Sequence, residues 1–147
     1  MRTVAIVGVG LIGGSFGLAM RAAGFDGRII GVSSNRTTRA AIDLGAIDEG
    51  LPMDRAVPIA DLIYLAQPIG RILDTIRHLD SFRPQPGALV TDAGSTKNAI
   101  VSAARASLHA CQFLGGHPMA GKETRGVESA DSQLFAGRPY VLTPPNA

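Results

Sequence analysis

Near its start the chain carries Gly8-Val9-Gly10-Leu11-Ile12-Gly13, and no other stretch limits the fold so tightly. The pattern is preceded by the β-branched run Thr3 to Val7 and followed by Leu11 to Ala23, which is apolar, rich in small residues and closed by Gly24. The reading is strand, tight turn, helix. In that setting the first glycine permits the turn, the second lets backbone approach a pyrophosphate, and the third lets the helix lie on the strand, with phosphate at the helix N-terminus. Gly8, Gly10, Leu11, Ile12 and Gly13 are therefore candidate dinucleotide contacts. Close packing alone would explain Gly13, Gly14 and Gly17, but not the whole spacing.

The same unit recurs along the chain. Arg28 to Val32 reads as a strand, Ser33 to Thr38 as a polar stretch, and the segment up to Leu44 and Gly45 as a short helix. Leu62 to Ala66 is a buried strand followed by Pro68, which suits a helix's first turn because it lacks the donor that turn leaves unpaired. The helix after it places Ile69, Ile72, Leu73, Ile76 and Leu79 on one face. Ala88 to Asp92 is a strand, Gly94-Ser95-Thr96 a turn, and Lys97 to Leu108 a helix with Ile100, Val101, Ala104 and Leu108 inward. Gln112 to Leu114 reads as a short strand, Gly115 to Gly126 as a glycine-rich loop, Ser132 to Phe135 as a helical turn, and Pro139 to Leu142 as a last strand before Pro144-Pro145. Strands alternating with helices imply an α/β fold: a doubly wound, mostly parallel, Rossmann-type sheet, with ligands outside the carboxyl ends of the strands.

Composition narrows the partners. One domain is expected over residues 1–147, a length that buries about two-thirds of the unfolded surface. The net charge of +2 comes from arginines scattered from Arg2 to Arg138, with Lys97 and Lys122 the only lysines. That suits an anionic small molecule and argues against nucleic acid. Cys111 is the single cysteine, so no internal disulfide and no zinc spacing is available, and a cytoplasmic home is expected. No apolar run approaches the ~20 residues of a membrane span, and with Met1 leading straight into a strand a signal peptide is not expected.

The choice of cofactor rests on charge. NAD enzymes commonly place Asp or Glu about 20 residues past the fingerprint to hold the ribose 2′-hydroxyl. Here the second strand runs into Ser33, Ser34, Asn35 and Arg36, without a carboxylate. NADP is the expected cofactor, with NAD as the alternative, since a 2′-phosphate would meet hydroxyls, an amide and a guanidinium fork. Ser34 or Asn35 could equally cap the next helix. Gln67 and Pro68 fall where ribose or nicotinamide would pass. Ser95 or Thr96 reads as a cap or a participant. His117 stands between a Gly-Gly pair and a proline at a strand's carboxyl end, where a base is useful. No metal site is expected.

The segments GVGLIGGS from Gly8, TDAGSTK from Thr91 and above all GGHPMAGKETRGVE from Gly115 resemble the prephenate/arogenate dehydrogenase family, in order and spacing, along essentially the whole chain. The resemblance implies that His117 is the catalytic histidine, that Ser95 works beside it, and that Lys122 and Glu123 lie near the substrate's side chain. It implies oxidative decarboxylation of prephenate or arogenate in tyrosine biosynthesis, with a neutral imidazole taking the proton of the 4-hydroxyl. The resemblance also implies a C-terminal helical domain that forms a homodimer, and that domain is expected to lie outside residues 1–147. Two other readings stay open: a dehydrogenase of 3-hydroxy or imino acids, and an NADP-binding module without catalysis.

Overall fold

The computed structural model describes residues 1–144, so Pro145 lies outside the described residues. The strands are β1 (Thr3–Val7), β2 (Arg28–Val32), β3 (Glu49–Gly50), β4 (Leu62–Leu65), β5 (Leu89–Asp92), β6 (Gln112–Pro118) and β7 (Tyr140–Thr143). The helices are α1 (Leu11–Ala22), α2 (Asn35–Asp43), α3 (Met53–Ala56), α4 (Ile69–His78) and α5 (Lys97–Ser107). They build one sheet in the order β3-β2-β1-β4-β5-β6-β7. β1 to β6 pair in parallel and β7 is antiparallel to β6. β1 lies between β2 and β4, so the winding reverses beside it and opens a crevice at the strands' carboxyl ends. This is the doubly wound fold expected from the sequence.

The apolar runs follow from burial on both faces. Val4 to Val7 are buried, and their alternation divides two cores. Ala5 and Val7 join Ile63, Leu65, Ile72, Ile76 and Ile100 on the α4 and α5 side. Val4 and Ile6 join Ile29, Ala41, Ile47 and Tyr64 on the α1 and α2 side.

Several boundaries differ from the sequence reading. α2 begins at Asn35, inside the polar stretch, because the Ser34 hydroxyl caps it by accepting from the Thr37 amide at 3.2 Å. Pro68 stands one position outside α4, as its cap residue. Ile69 is exposed while Ile72, Ile76 and Leu79 are buried, since the first turn of α4 follows the end of β4 and overhangs the sheet. β3 and α3 were not expected at all; two and four residues are too few to show a period. The main correction concerns Gly115 to Pro118, which continue β6 rather than opening a loop. The β5–β6 ladder stops at Thr91–Leu114, and β7 takes over as partner, pairing Gly115 with Thr143 and His117 with Val141.

α1 lies close to the sheet because it lacks side chains where it touches. A Cβ on Gly13 would stand 2.1 Å from the Gly8 carbonyl oxygen, and one on Gly17 2.1 Å from that of Ala46. Alanine gains about 1 kcal/mol over glycine in a helix interior, but a carbonyl at that range must push the helix away. A Gly17→Ala chain is expected to lose about 1–3 kcal/mol net, read as a lower urea midpoint with unchanged slope. A midpoint at or above the wild-type value would show that the contact does not constrain the helix.

Candidate functional site

The crevice beside β1 holds a cavity of about 650 Å³. Gly8 and Gly10 form its floor, Ser33, Ser34 and Arg36 one wall, and Gln67 and Pro68 the opposite wall. Gly8 has φ +88°, and a Cβ there would press on the backbone of Ala66 at 2.9 Å, so glycine is required where the turn from β1 into α1 passes the end of β4. Gly10 differs. Its φ is −90° and an added Cβ would meet no protein atom within 4 Å. The space beside Gly10 is thus open to a ligand.

Behind it, α1 begins with no side-chain cap and no acidic residue in its first turn. The free N–H groups at Leu11, Ile12 and Gly13 and the positive end of the helix favour an anion. Leu11 and Ile12 are half-buried, Ile12 against the α1–α2 core, and Gly13 is buried on Gly8. These residues can contribute backbone rather than side chains.

At the end of β2, Ser33, Ser34, Asn35 and Arg36 are all exposed. The Ser34 hydroxyl donates to Thr37 Oγ1 at 2.9 Å besides capping α2. Asn35 lines a smaller neighbouring cavity of about 180 Å³ with Ser33 and Thr38. The Arg36 guanidinium is 87% exposed and stands 3.7 Å from the Glu128 carboxylate. On the other wall, the Gln67 carboxamide oxygen accepts from the Thr75 hydroxyl at 2.7 Å. Arg71, from the first turn of α4, adds a second guanidinium to the lining.

Glu128 arrives by a route the sequence reading missed. After β6 the chain crosses back over α1, and Val127, 2% exposed in a 3-10 turn (Val127–Ser129), packs in the α1–α2 core. A Cβ on Gly14 would come within 3.1 Å of Val127 Cγ2, and the Asp131 amide donates to the buried Ser15 hydroxyl at 2.9 Å. Gly126, Val127 and Glu128 thereby line the cavity. The one visible signal was a valine isolated in a polar, glycine-rich stretch. Lys122 is used within this segment, donating to the Ser129 carbonyl at 3.3 Å and pairing with Asp131 at 3.1 Å. The Gln133 amide and then Lys122 hold the Asp131 carboxyl below its ordinary range. Glu123 is exposed.

Ser95 and His117 lie outside that cavity's wall, at the carboxyl ends of the neighbouring strands β5 and β6. Of the two candidate caps, Thr96 rather than Ser95 stands at the cap position of α5, and it makes no side-chain capping hydrogen bond. A Cβ on Gly115 would approach Lys97 Cδ, whereas one on Gly116 would approach Thr91 Oγ1 and Tyr140 on the opposite face. Strand alternation then sets half-buried His117 on the α5 side, the side of the Ser95 turn.

Between the two runs lies Asp92, fully buried. One of its oxygens accepts from the Gly116 amide at 3.1 Å, the other from the Gly94 amide at 2.9 Å and from the Lys97 ammonium. Burial pulls the Lys97 pKa down, against the opposing pull of Asp92. On the far face, Phe16 stacks on Tyr64 with ring centroids 3.9 Å apart, and the Tyr140 hydroxyl donates to that of Tyr64 at 3.1 Å. Burial raises both phenols.

Other reactive side chains stand apart from the crevice. Burial pushes the Cys111 thiol up to about 11, which keeps it protonated beneath α5. His78 is exposed, with Nδ1 2.8 Å from the Asp74 carbonyl oxygen. Among the described residues no group of His, Cys, Asp and Glu could hold a metal, and no helix is long and apolar enough to cross a membrane.

Residues 16–147 match the family described as prephenate dehydrogenase, nucleotide-binding domain. The prephenate dehydrogenase of Lactococcus lactis subsp. cremoris is 38% identical over 145 residues, covering 97% of this chain and 41% of that protein. The crystal structure of Synechocystis arogenate dehydrogenase superposes with a TM-score of 0.87 at 36% identity, over 97% of this chain and 50% of that one. That of prephenate dehydrogenase from A. aeolicus, in complex with hydroxyphenyl propionate and NAD+, superposes with a TM-score of 0.82 at 33% identity, over 98% and 51%. The chain spans about half or less of the length of these relatives. From the fingerprint turn, the doubly wound sheet and a family match over nearly the whole chain, it follows that this chain belongs to the prephenate dehydrogenase family, as its nucleotide-binding domain.

Proposed function

We propose that this domain serves an NADP-preferring dehydrogenase that oxidatively decarboxylates prephenate or arogenate in tyrosine biosynthesis, working in the cytoplasm as a homodimer once joined to a further helical domain. The observation that carries the reading is the extension of β6 through His117, which brings an imidazole to the ligand edge of the sheet on the face of the Ser95 turn.

The cofactor fits the residues present. The open space at Gly10 and the uncapped start of α1 suit a diphosphate held by the backbone of Gly8, Gly10, Leu11, Ile12 and Gly13. Ser33, Ser34, Asn35 and Arg36 suit a 2′-phosphate, and Gln67 and Pro68 flank the path to the nicotinamide. Glu128 is the carboxylate nearest Arg36. The pair is exposed and 3.7 Å apart, so it contributes little and yields to a doubly charged phosphate. When bound, NADP supplies the hydride acceptor for the substrate's C4.

The protein's part is alignment and one proton. His117 accepts the proton of the 4-hydroxyl, which lets electron density from that oxygen assist departure of the C4 hydride. The electron pair of the bond to the ring carboxylate enters the ring as carbon dioxide leaves. The resulting phenolate recovers a proton from His117, so the imidazole ends as it began. Ser95 orients the imidazole or shares the hydroxyl proton. Lys122 and Glu123 follow His117 on the substrate side; with Lys122 engaged by Asp131, Glu123 is the freer of the two.

Three measurements test this reading. A Gly10→Ala chain should melt within about 0.5 kcal/mol of wild type yet bind dinucleotide at least tenfold more weakly; unchanged binding would move the diphosphate elsewhere. In a fluorescence titration NADPH should bind at least tenfold more tightly than NADH, with Arg36→Ala erasing the difference. Tighter NADH binding defeats the NADP assignment. In the full-length protein, His117→Asn should lower kcat about 10²–10⁴-fold while dinucleotide affinity holds, and undiminished turnover would remove the histidine from the chemistry.

A further inference from the structure

We propose that Asp92 is the positioning residue of this site: one buried carboxylate fastens the backbone that carries Ser95 to the backbone that carries His117. The proposal rests on the roles given to those two residues above. β5 and β6 exchange their last ladder pair at Thr91–Leu114. Beyond it β5 turns off into α5 while β6 continues beside β7, so the sheet itself no longer ties them. Asp92 bridges the gap, accepting from Gly116 at 3.1 Å and from Gly94 at 2.9 Å. Each of those glycines immediately precedes a candidate catalytic residue, which leaves each side chain little backbone freedom.

The surroundings fit a positioning device. Asp92 is fully buried, and hydrogen bonds to an ionised acceptor away from water are stronger than neutral ones. A Cβ on Gly116 would stand 2.7 Å from the Asp92 carbonyl oxygen, a backbone atom that cannot give way, and one on Gly94 2.5 Å from Ile100 Cδ1, which would have to shift. Lys97 is the first residue of α5, where the helix dipole opposes a cation. Its place is explained by the carboxylate it neutralises. A misplacement of about 1 Å between reacting groups can lower a rate about 10²-fold, and this carboxylate governs the separation of the two strand ends.

The test uses the full-length protein. In the wild type, the amides of Gly94 and Gly116 should exchange with solvent as slowly as those of the core strands. Asp92→Asn replaces one acceptor with a donor, so exchange at Gly94 or Gly116 should accelerate at least tenfold. Its kcat should fall ten- to a hundredfold, with dinucleotide Kd and KM within twofold. Ser95→Ala should cost less turnover when combined with Asp92→Asn than alone, because the pair is already misaligned. If Asp92→Asn does not fold, Asp92→Asn/Lys97→Met, which removes the cation with the anion, takes its place. Fast exchange of both glycines in the wild type overturns the proposal, as does wild-type kcat in the variant, or a fall in kcat and melting midpoint together with a rise in Kd. Absence of dehydrogenase activity in the wild type would defeat the proposed reaction, while the glycine exchange still decides the anchoring.

Discussion

The approach of α1 to the sheet governs the rest of the molecule. Gly13 rests on the Gly8 carbonyl, Gly17 on that of Ala46, and Gly14 on Val127 and Ala130. One helix with three bare positions can therefore touch β1, the loop after α2, and the segment that returns from β6. Closeness to β1 aims the helix's N-terminus at the crevice. The bare position at Gly14 lets the returning chain lie over the same helix and form part of the cavity. A larger residue at any of these points would separate phosphate site, sheet and returning segment together.

The two ends of the sheet are secured differently. At the amino end, Asp61 accepts from the amides of Arg2 and Thr3 at 2.6 and 2.9 Å and from the Gln85 carboxamide at 2.8 Å. The Arg2 and Thr3 amides are what chiefly hold its carboxyl below the usual carboxylate range. What this anchor contributes is present above the ordinary pKa and is lost only as pH falls through the lowered one. Arg21 donates to the carbonyls of Phe25 and Gly27 and pairs with Asp48, which also accepts from Ile29. At the carboxyl end the strands must diverge to admit a ligand. There the tie is the buried Asp92, which holds two backbones a fixed distance apart without filling the space above them.

How much could be read from the sequence depended on how local each signal was. β1 and β2 have the expected bounds, and α5 differs by one residue, because burial on both faces and helical periodicity are written within each element. Gly8 and Gly10 of the fingerprint, Ser33, Ser34 and Arg36, and Gln67 and Pro68 meet at one cavity because each group follows a strand of the alternating pattern, while Asn35 lines the smaller cavity beside it. The length of β6 was hidden, since Gly115 and Gly116 carry little strand propensity and their partner is β7, distant in sequence. Arg71, Val127 and Glu128 were hidden for the same reason. Their place in the cavity wall depends on where α4 and the returning chain pack, not on neighbours in sequence. Asp92 looked like the end of a strand, and only the convergence of two amides and an ammonium on it gives it a task.

These features join into one constraint on chemistry. β7 runs antiparallel and so supplies ladder partners beyond the point where β5 leaves the sheet; without it β6 would end at Leu114, short of the imidazole. The chain that connects β6 to β7 is the one that seats Val127 on α1 and brings Glu128 to Arg36. The same excursion therefore builds a wall of the nucleotide cavity and holds His117 in a strand. A rearrangement of residues 119–139 would be felt at both places, so the depth of the cavity and the position of the imidazole are set by a single path of the backbone.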